Sequence, residues 1–206
     1  MDTCKTKVNK NQKLFKEEFK MKKALIIVDM SNDFVADNGT LTVGKLGQDV
    51  VPYIIETANK FIKNGDIVVV TMDAHEENDK HFELWPAHNI VGTEGQKLYG
   101  ELDNWYGDNI GLTSFFDNSD QIIYQPKTNY NAFFKTDLAE QLREKGVDEV
   151  HVVGVCTDIC DFLTIAGADA EGFKTAMHKR GAATFTDNTN MILNHMKLCF
   201  HTQIIE

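Results

Sequence analysis

Five consecutive apolar residues, Ala24-Leu25-Ile26-Ile27-Val28, stop at a carboxylate, Asp29. A strand with one wet face alternates apolar and polar side chains, so an unbroken run implies a strand covered on both faces, the setting of a central parallel strand. Asp66-Ile67-Val68-Val69-Val70-Thr71-Met72 repeats the pattern. Shorter or weaker strands are expected at Ile122 to Tyr124, Glu149 to Val153 and Phe173 to Met177, with an edge strand in the last residues. Helical segments lie between them. Val50 to Ile62 puts Val51, Ile54, Ile55, Ala58, Phe61 and Ile62 on one face and stops at Asn64-Gly65. Thr136 to Lys145 is closed by Gly146, and Thr157 to Glu171 and Asn188 to Leu198 complete the set. Strands alternating with helices predict a single-domain, three-layer α/β/α sandwich around a mainly parallel, Rossmann-like sheet of about six strands.

In such sheets the reactive groups gather at the carboxyl ends of the strands. Asp29, Asp73, Lys127 and the segment Gly154-Val155-Cys156-Thr157-Asp158-Ile159-Cys160 each follow an expected strand. Cys160 falls in a helix's first turn, where free backbone N–H groups and the helix dipole favour a thiolate. A carboxylate closing an apolar strand needs a partner or a task. Asp29 serves either as a turn residue for Ser31-Asn32-Asp33 or as the general base for Cys160. Lys127 is either a solvated loop lysine or, between Asp29 and Cys160, a cation that lowers both pKa values and supports charge in a transition state.

One domain is the natural reading of 206 residues. The net charge of −10 excludes a nucleic-acid binder, which needs a basic face. Residues 1–23 carry eight lysines against Asp2, Glu17 and Glu18, so this arm is +5 and the rest −15. The expected organisation is a basic N-terminal extension over 1–20 and a domain over 21–206. The apolar run after the arm is too short for a signal sequence or a membrane span. Cys4, Cys156, Cys160 and Cys199 form no disulfide-like framework, which fits a reducing cytoplasm and a free nucleophilic thiol.

Residues 74–118 carry little periodicity but many His, Trp, Asn and Gly residues, and loops of that length in a compact domain are usually functional. Asp73 and His75 are spaced to project to one side after a strand, and His88 offers a third metal ligand. Imidazole with carboxylate suits zinc, manganese or iron(II). Gly44-Lys45-Leu46-Gly47 lacks the spacing of a phosphate loop or dinucleotide fingerprint, and no organic cofactor is expected.

The segment Leu25-Ile26-Ile27-Val28-Asp29-Met30-Ser31-Asn32-Asp33-Phe34 resembles the opening motif of the isochorismatase-like cysteine hydrolases, and Gly154 to Cys160 resembles their nucleophile turn. Asp73-Ala74-His75-Glu76-Glu77-Asn78-Asp79, continuing through Trp85-Pro86-Ala87-His88 to Gly95, is similar to the nicotinamidase branch. The matches run in order from about Met21 to the C-terminus. The resemblance implies a triad of Asp29, Lys127 and Cys160, and a divalent metal, zinc first and iron or manganese as alternatives, held by Asp73, His75 and His88. It points to Glu83 as the fourth ligand, with His81 as the alternative. It also implies a cis peptide between Val155 and Cys156, an oxyanion hole from the backbone N–H groups of Cys156 and Cys160, and a ring pocket lined by Phe34, Trp85 and Tyr130.

The implied activity is hydrolysis of nicotinamide to nicotinic acid and ammonia through a thioester on Cys160, a reaction of NAD salvage, with the metal receiving the pyridine nitrogen. The small amide is then the expected partner, with no nucleic acid or membrane, and a homo-oligomer is left open. One alternative is an amidase of the same superfamily acting on a carbamoyl or ureido substrate, which needs no pyridine-orienting metal. Isochorismate hydrolysis needs no thiol, and a non-catalytic metal- or ligand-binding module needs no triad. Two departures from the family stand out. Asp161 replaces an apolar residue after the nucleophile and is expected on the helix surface, and Gly167 replaces an aspartate at a cost of about 1 kcal/mol relative to alanine in a helix.

Overall fold

The computed structural model describes residues 21–111 and 118–206. The basic extension proposed for residues 1–20 lies outside the described residues. Six strands, β1 (Lys22–Val28), β2 (Ile67–Asp73), β3 (Ile122–Lys127), β4 (Val147–Val155), β5 (Lys174–Ala183) and β6 (Gln203–Ile205), form one sheet in the order β3-β2-β1-β4-β5-β6. Every neighbouring pair is parallel. The helices are α1 (Asn32–Val35), α2 (Lys45–Asp49), α3 (Val51–Lys63), α4 (Glu101–Asn109), α5 (Leu138–Glu144), α6 (Phe162–Ala170) and α7 (Thr189–Cys199).

The unbroken apolar runs sit where two-sided burial demands. Residues 24–28 of β1 and all of β2 are buried. Alternate β1 residues feed opposite layers: Ala24, Ile26 and Val28 pack with Leu138, Leu142 and Ile165, while Leu25 and Ile27 pack with Ile54, Ala58 and Phe61 of α3. The expected α/β/α sandwich follows from that division. Among the described residues, no helix is long and apolar enough to cross a membrane.

Two expectations about elements are corrected. Residues 74–118 hold α4, whose burial rests on Leu102 and Trp105 alone, too little apolar patterning to be read in advance. The helix expected from Thr157 begins as a π-helical turn over Thr157–Asp161 before α6 continues it. At the mid-helix Gly167 a Cβ would meet the side-chain amide of Asn131, so glycine suits the packing of that amide as it stands.

Candidate active site

The strand ends bring the reactive groups together. Asp29 directly follows β1 with φ of 55°, a left-handed conformation that non-glycine residues adopt at some energetic cost, and the structure around it holds it there. Its N–H donates to the Thr71 carbonyl at 3.0 Å, and its Oδ1 accepts the Asp73 N–H at 3.1 Å. The next strands over deliver Asp73 and Lys127 as register partners at the ends of β2 and β3. Lys127 Nζ donates to Asp29 Oδ2 at 2.7 Å and also to Asp73 Oδ1. All three side chains are buried.

The fourth strand end carries the thiol. β4 approaches β1 so closely that a Cβ at Gly154, where φ is 133°, would overlap the backbone of Val28, so the position needs glycine. The expected cis peptide joins Val155 to Cys156. The π-helical turn then places Cys160, 7% exposed, on the cavity wall, close enough to Asp29 for each group to perturb the other's ionisation.

Two carboxylates that share one ammonium differ in acidity. Burial and the neighbouring Asp73 charge raise the Asp29 pKa to about 6, despite Lys127. Asp73 is equally buried, but the Lys127 ammonium, with the His75 and His88 imidazoles nearby, holds it well below the usual carboxylate range. Burial works against the Lys127 charge, yet the two carboxylates outweigh it and push its pKa upward. Burial, reinforced by Asp29, pushes the Cys160 thiol well above 9.0. One expectation is corrected, since the resting nucleophile is a thiol and not a thiolate; Lys127 lowers both pKa values as expected, but without reversing the rise. Desolvation exceeds its attraction at both sites.

Beside this group, His75, His81 and His88 turn ligand atoms to within 4.8 Å of one another. Asp73 Oδ2 lies 3.7 Å from Nε2 of both His75 and His88. The ring orientations are set from behind. His75 Nδ1 pairs with Asp79 Oδ2 at 2.9 Å, and His88 Nδ1–H donates to the Pro86 carbonyl at 2.7 Å. Both arrangements leave Nε2 facing the cluster, the second-layer pattern of metal-bound histidines. His75 Nε2 is buried without a protein partner. Asp73 and Asp79 raise the His75 pKa in spite of burial, while burial lowers that of His81. An orphaned buried nitrogen, three converging imidazoles and one carboxylate fit a divalent cation such as zinc.

The expected preference for Glu83 is corrected. The short 3₁₀ turn Lys80–Glu83, capped by Asp79, stacks the His81 ring on His75 at 4.8 Å and leaves Glu83 exposed. Side-chain rotation through that turn, rather than ligand type, decides between them. Asp161 is also corrected: instead of lying on the helix surface, it is fully buried, and neither carboxyl oxygen has a protein partner. The π-helical turn rotates it inward.

Cys160, Asp73, His81 and His88 border a cavity of about 420 Å³, the size of a small-molecule site. Phe34, Trp85 and Tyr130 all line it, and Trp85 Nε1 donates to the Tyr130 hydroxyl at 3.0 Å. The Cys156 side chain reaches the wall as well, but burial pushes its thiol up to about 12, so it is chemically quiet. Sequence reasoning missed Asp79 as the His75 partner, although its spacing of four residues was available. It also missed Phe185 on the cavity wall, for which no local signal exists.

A family profile described as the isochorismatase domain matches residues 23–204. The chain is similar to a nicotinamidase/pyrazinamidase of Mycobacterium tuberculosis, 32% identical over 193 residues that span 85% of this chain and 94% of that protein. It also resembles the crystal structure of nicotinamidase/pyrazinamidase PncA from Bacillus subtilis, with a TM-score of 0.83 and 38% identity over 90% of this chain and 100% of that one. The pyrazinamidase of Pyrococcus horikoshii, solved in complex with zinc, gives a TM-score of 0.75 at 27% identity, covering 90% of this chain and 99% of that one.

Proposed function

Because the chain belongs to the isochorismatase family, we propose that it is an amidohydrolase converting nicotinamide to nicotinic acid and ammonia through a thioester on Cys160. The observation that carries this reading is the Asp29 carboxylate, which accepts a hydrogen bond from Lys127 and interacts with Cys160, the thiol on the wall of a cavity that His81 and His88 also line. A thiol that is weakly acidic at rest needs a base beside it, and a carboxylate raised to about 6 accepts and returns a proton near neutral pH.

In this mechanism Asp29 takes the Cys160 proton as sulfur attacks the carboxamide carbon. The backbone N–H groups of Cys156 and Cys160 hold the oxyanion, and the Lys127 ammonium supports the developing negative charge. Collapse of the tetrahedral adduct breaks the C–N bond, and Asp29 delivers its proton to the leaving nitrogen, releasing ammonia. Asp29 then takes a proton from water, whose oxygen attacks the thioester carbon. The C–S bond breaks, and the proton returns to sulfur as nicotinic acid leaves.

His75, His81 and His88 with Asp73 would hold the divalent cation, zinc being the reading that imidazole donors favour. When bound, the cation supplies a Lewis acid for the pyridine nitrogen, directly or through water. Phe34, Trp85 and Tyr130 pack against the ring and exclude water from the reacting carbonyl. A carbamoyl or ureido substrate would leave this cluster without a task.

Ammonia release from nicotinamide, measured with the metal-replete protein and with Cys160→Ala, tests the proposal. Activity in the parent and its loss in the variant are expected. An inert parent would overturn the substrate assignment, and an unimpaired Cys160→Ala would overturn the mechanism.

A further inference from the structure

Phe185 is a large aromatic residue left 55% exposed, yet it lines the cavity that holds Cys160. It belongs to none of the elements that carry Phe34, Trp85 or Tyr130, standing two residues beyond β5. The segment around it is tied down on both sides by one carboxylate. Thr184 Oγ1 donates to Asp158 Oδ1 at 2.6 Å, and Thr186 Oγ1 donates to Asp158 Oδ2 at 2.6 Å. Asn188 Nδ2 donates to the same Oδ2 at 3.2 Å. Two further bonds knit the segment internally, from the Thr186 N–H to Thr184 Oγ1 at 3.4 Å and from the Asn188 N–H to Thr186 Oγ1 at 3.2 Å.

Asp158 lies in the π-helical turn Thr157–Asp161, so the carboxylate that fixes Phe185 is two residues from the nucleophile. These charge-assisted bonds make the position of the ring relative to Cys160 a property of the turn itself. Holding an apolar ring half in solvent gains nothing in the free protein. It becomes favourable once a flat apolar ligand covers the exposed face.

We propose that Phe185 is a specificity-determining residue that packs on the substrate ring and selects aromatic over aliphatic amides, and that Asp158 is its positioning residue. This rests on the amidohydrolase reading above and names the part of the cavity that gives it ring selectivity. Covering about half of an exposed phenyl ring corresponds to roughly a tenfold change in affinity.

The experiment measures KM and kcat for nicotinamide, and kcat/KM for an aliphatic amide, propionamide, in the metal-replete parent, Phe185→Ala, Phe185→Tyr, Asp158→Ala and the double variant. Phe185→Ala is expected to raise the nicotinamide KM about tenfold with kcat within about threefold, leaving propionamide unchanged, while Phe185→Tyr restores the parent KM. Asp158→Ala should raise KM in the parent and have no further effect on KM once Phe185 is alanine, because the two act as one unit. An active parent whose Phe185→Ala keeps its KM within twofold overturns the inference and leaves the proposed function standing. Equal Asp158→Ala effects in both backgrounds overturn the positioning role. A parent inert towards nicotinamide overturns the proposed function and this inference with it.

Discussion

Replacing Asp161 by valine should make the protein more stable, which is the reverse of what most core substitutions do. The carboxyl is fully buried directly behind the nucleophile, and neither oxygen has a protein partner. A buried polar group left unsatisfied costs roughly 1–3 kcal/mol, and an apolar side chain of similar size removes that penalty. Valine has one side-chain heavy atom fewer than aspartate, so it fits the space without overpacking. The expected gain at neutral pH is about 1–3 kcal/mol, a rise in Tm of roughly 2–12 °C for a chain of this length.

The pH dependence supplies a second, independent check. Burial, together with the charge of Asp29, holds the Asp161 pKa well above its ordinary 3.8. As pH rises past that ordinary value, the unfolded chain releases the proton while the folded protein keeps it. The unfolded state then binds fewer protons, and stability falls with increasing pH until the folded group ionises. Valine abolishes this slope, so its advantage should be smallest near pH 4 and grow towards pH 8. Asparagine should abolish the slope but keep the polar penalty. Urea denaturation of the parent and both variants across that range measures all of these quantities. Asp161→Val less stable than the parent at every pH would refute the reasoning, since it would mean that the carboxyl is satisfied. A gain that does not change with pH would refute the assignment of a buried, titrating acid.

Three further outcomes follow from the site and its surroundings. Cys156→Ala should keep kcat for nicotinamide within about threefold, because only the backbone N–H of Cys156 acts and its thiol is held near pKa 12; a loss as deep as that of Cys160→Ala would mean the sulfurs are misassigned. Asp79→Asn, which weakens the hold on His75 Nδ1, should lower zinc affinity about 10- to 100-fold in competition with a chelator, and unchanged affinity would remove the cluster's supporting layer. His178 is hydrogen-bonded to Tyr53 (2.9 Å) and to His151 (2.8 Å), which pairs in turn with Glu149, and burial lowers its pKa from 6.5 to about 4. The stability this chain contributes is present above pH 6.5 and lost as pH falls through about 4, by up to about 3 kcal/mol, and a His178→Gln variant whose unfolding free energy keeps the parent's pH dependence between those values would contradict it.

What could be read in advance depended on whether the signal was local. The apolar runs of β1 and β2 announced two-sided burial within single short segments, and the architecture followed. The strand-end rule gathered Asp29, Asp73, Lys127 and Cys160 without knowledge of the register. Side-chain direction within a turn was not local in that sense. His81 and Glu83 lie on one 3₁₀ turn, and only its rotation sends the imidazole to His75 and the carboxylate to solvent. Likewise an ordinary α-helix would turn Asp161 outward, whereas the π-helical turn takes it into the core.

The deepest omission concerns Lys127. Sequence reasoning sorted Asp29 with Lys127 and Cys160 as one group and Asp73 with the histidines as another, because no local pattern encodes how β2 and β3 are registered. That register sets Asp73 beside Lys127, and one ammonium joins the two groups. The two carboxylates then do not behave alike: Asp73, beside the His75 and His88 imidazoles, is held well below the ordinary range, which suits the proposed metal ligand, and Asp29 rises to about 6, which suits the proposed base. Lys127 therefore does more than stabilise a transition state. It bridges the two carboxylates to which the proposed mechanism gives different roles, so Lys127→Met should impair proton transfer at Asp29 and the charge balance of the histidine cluster together.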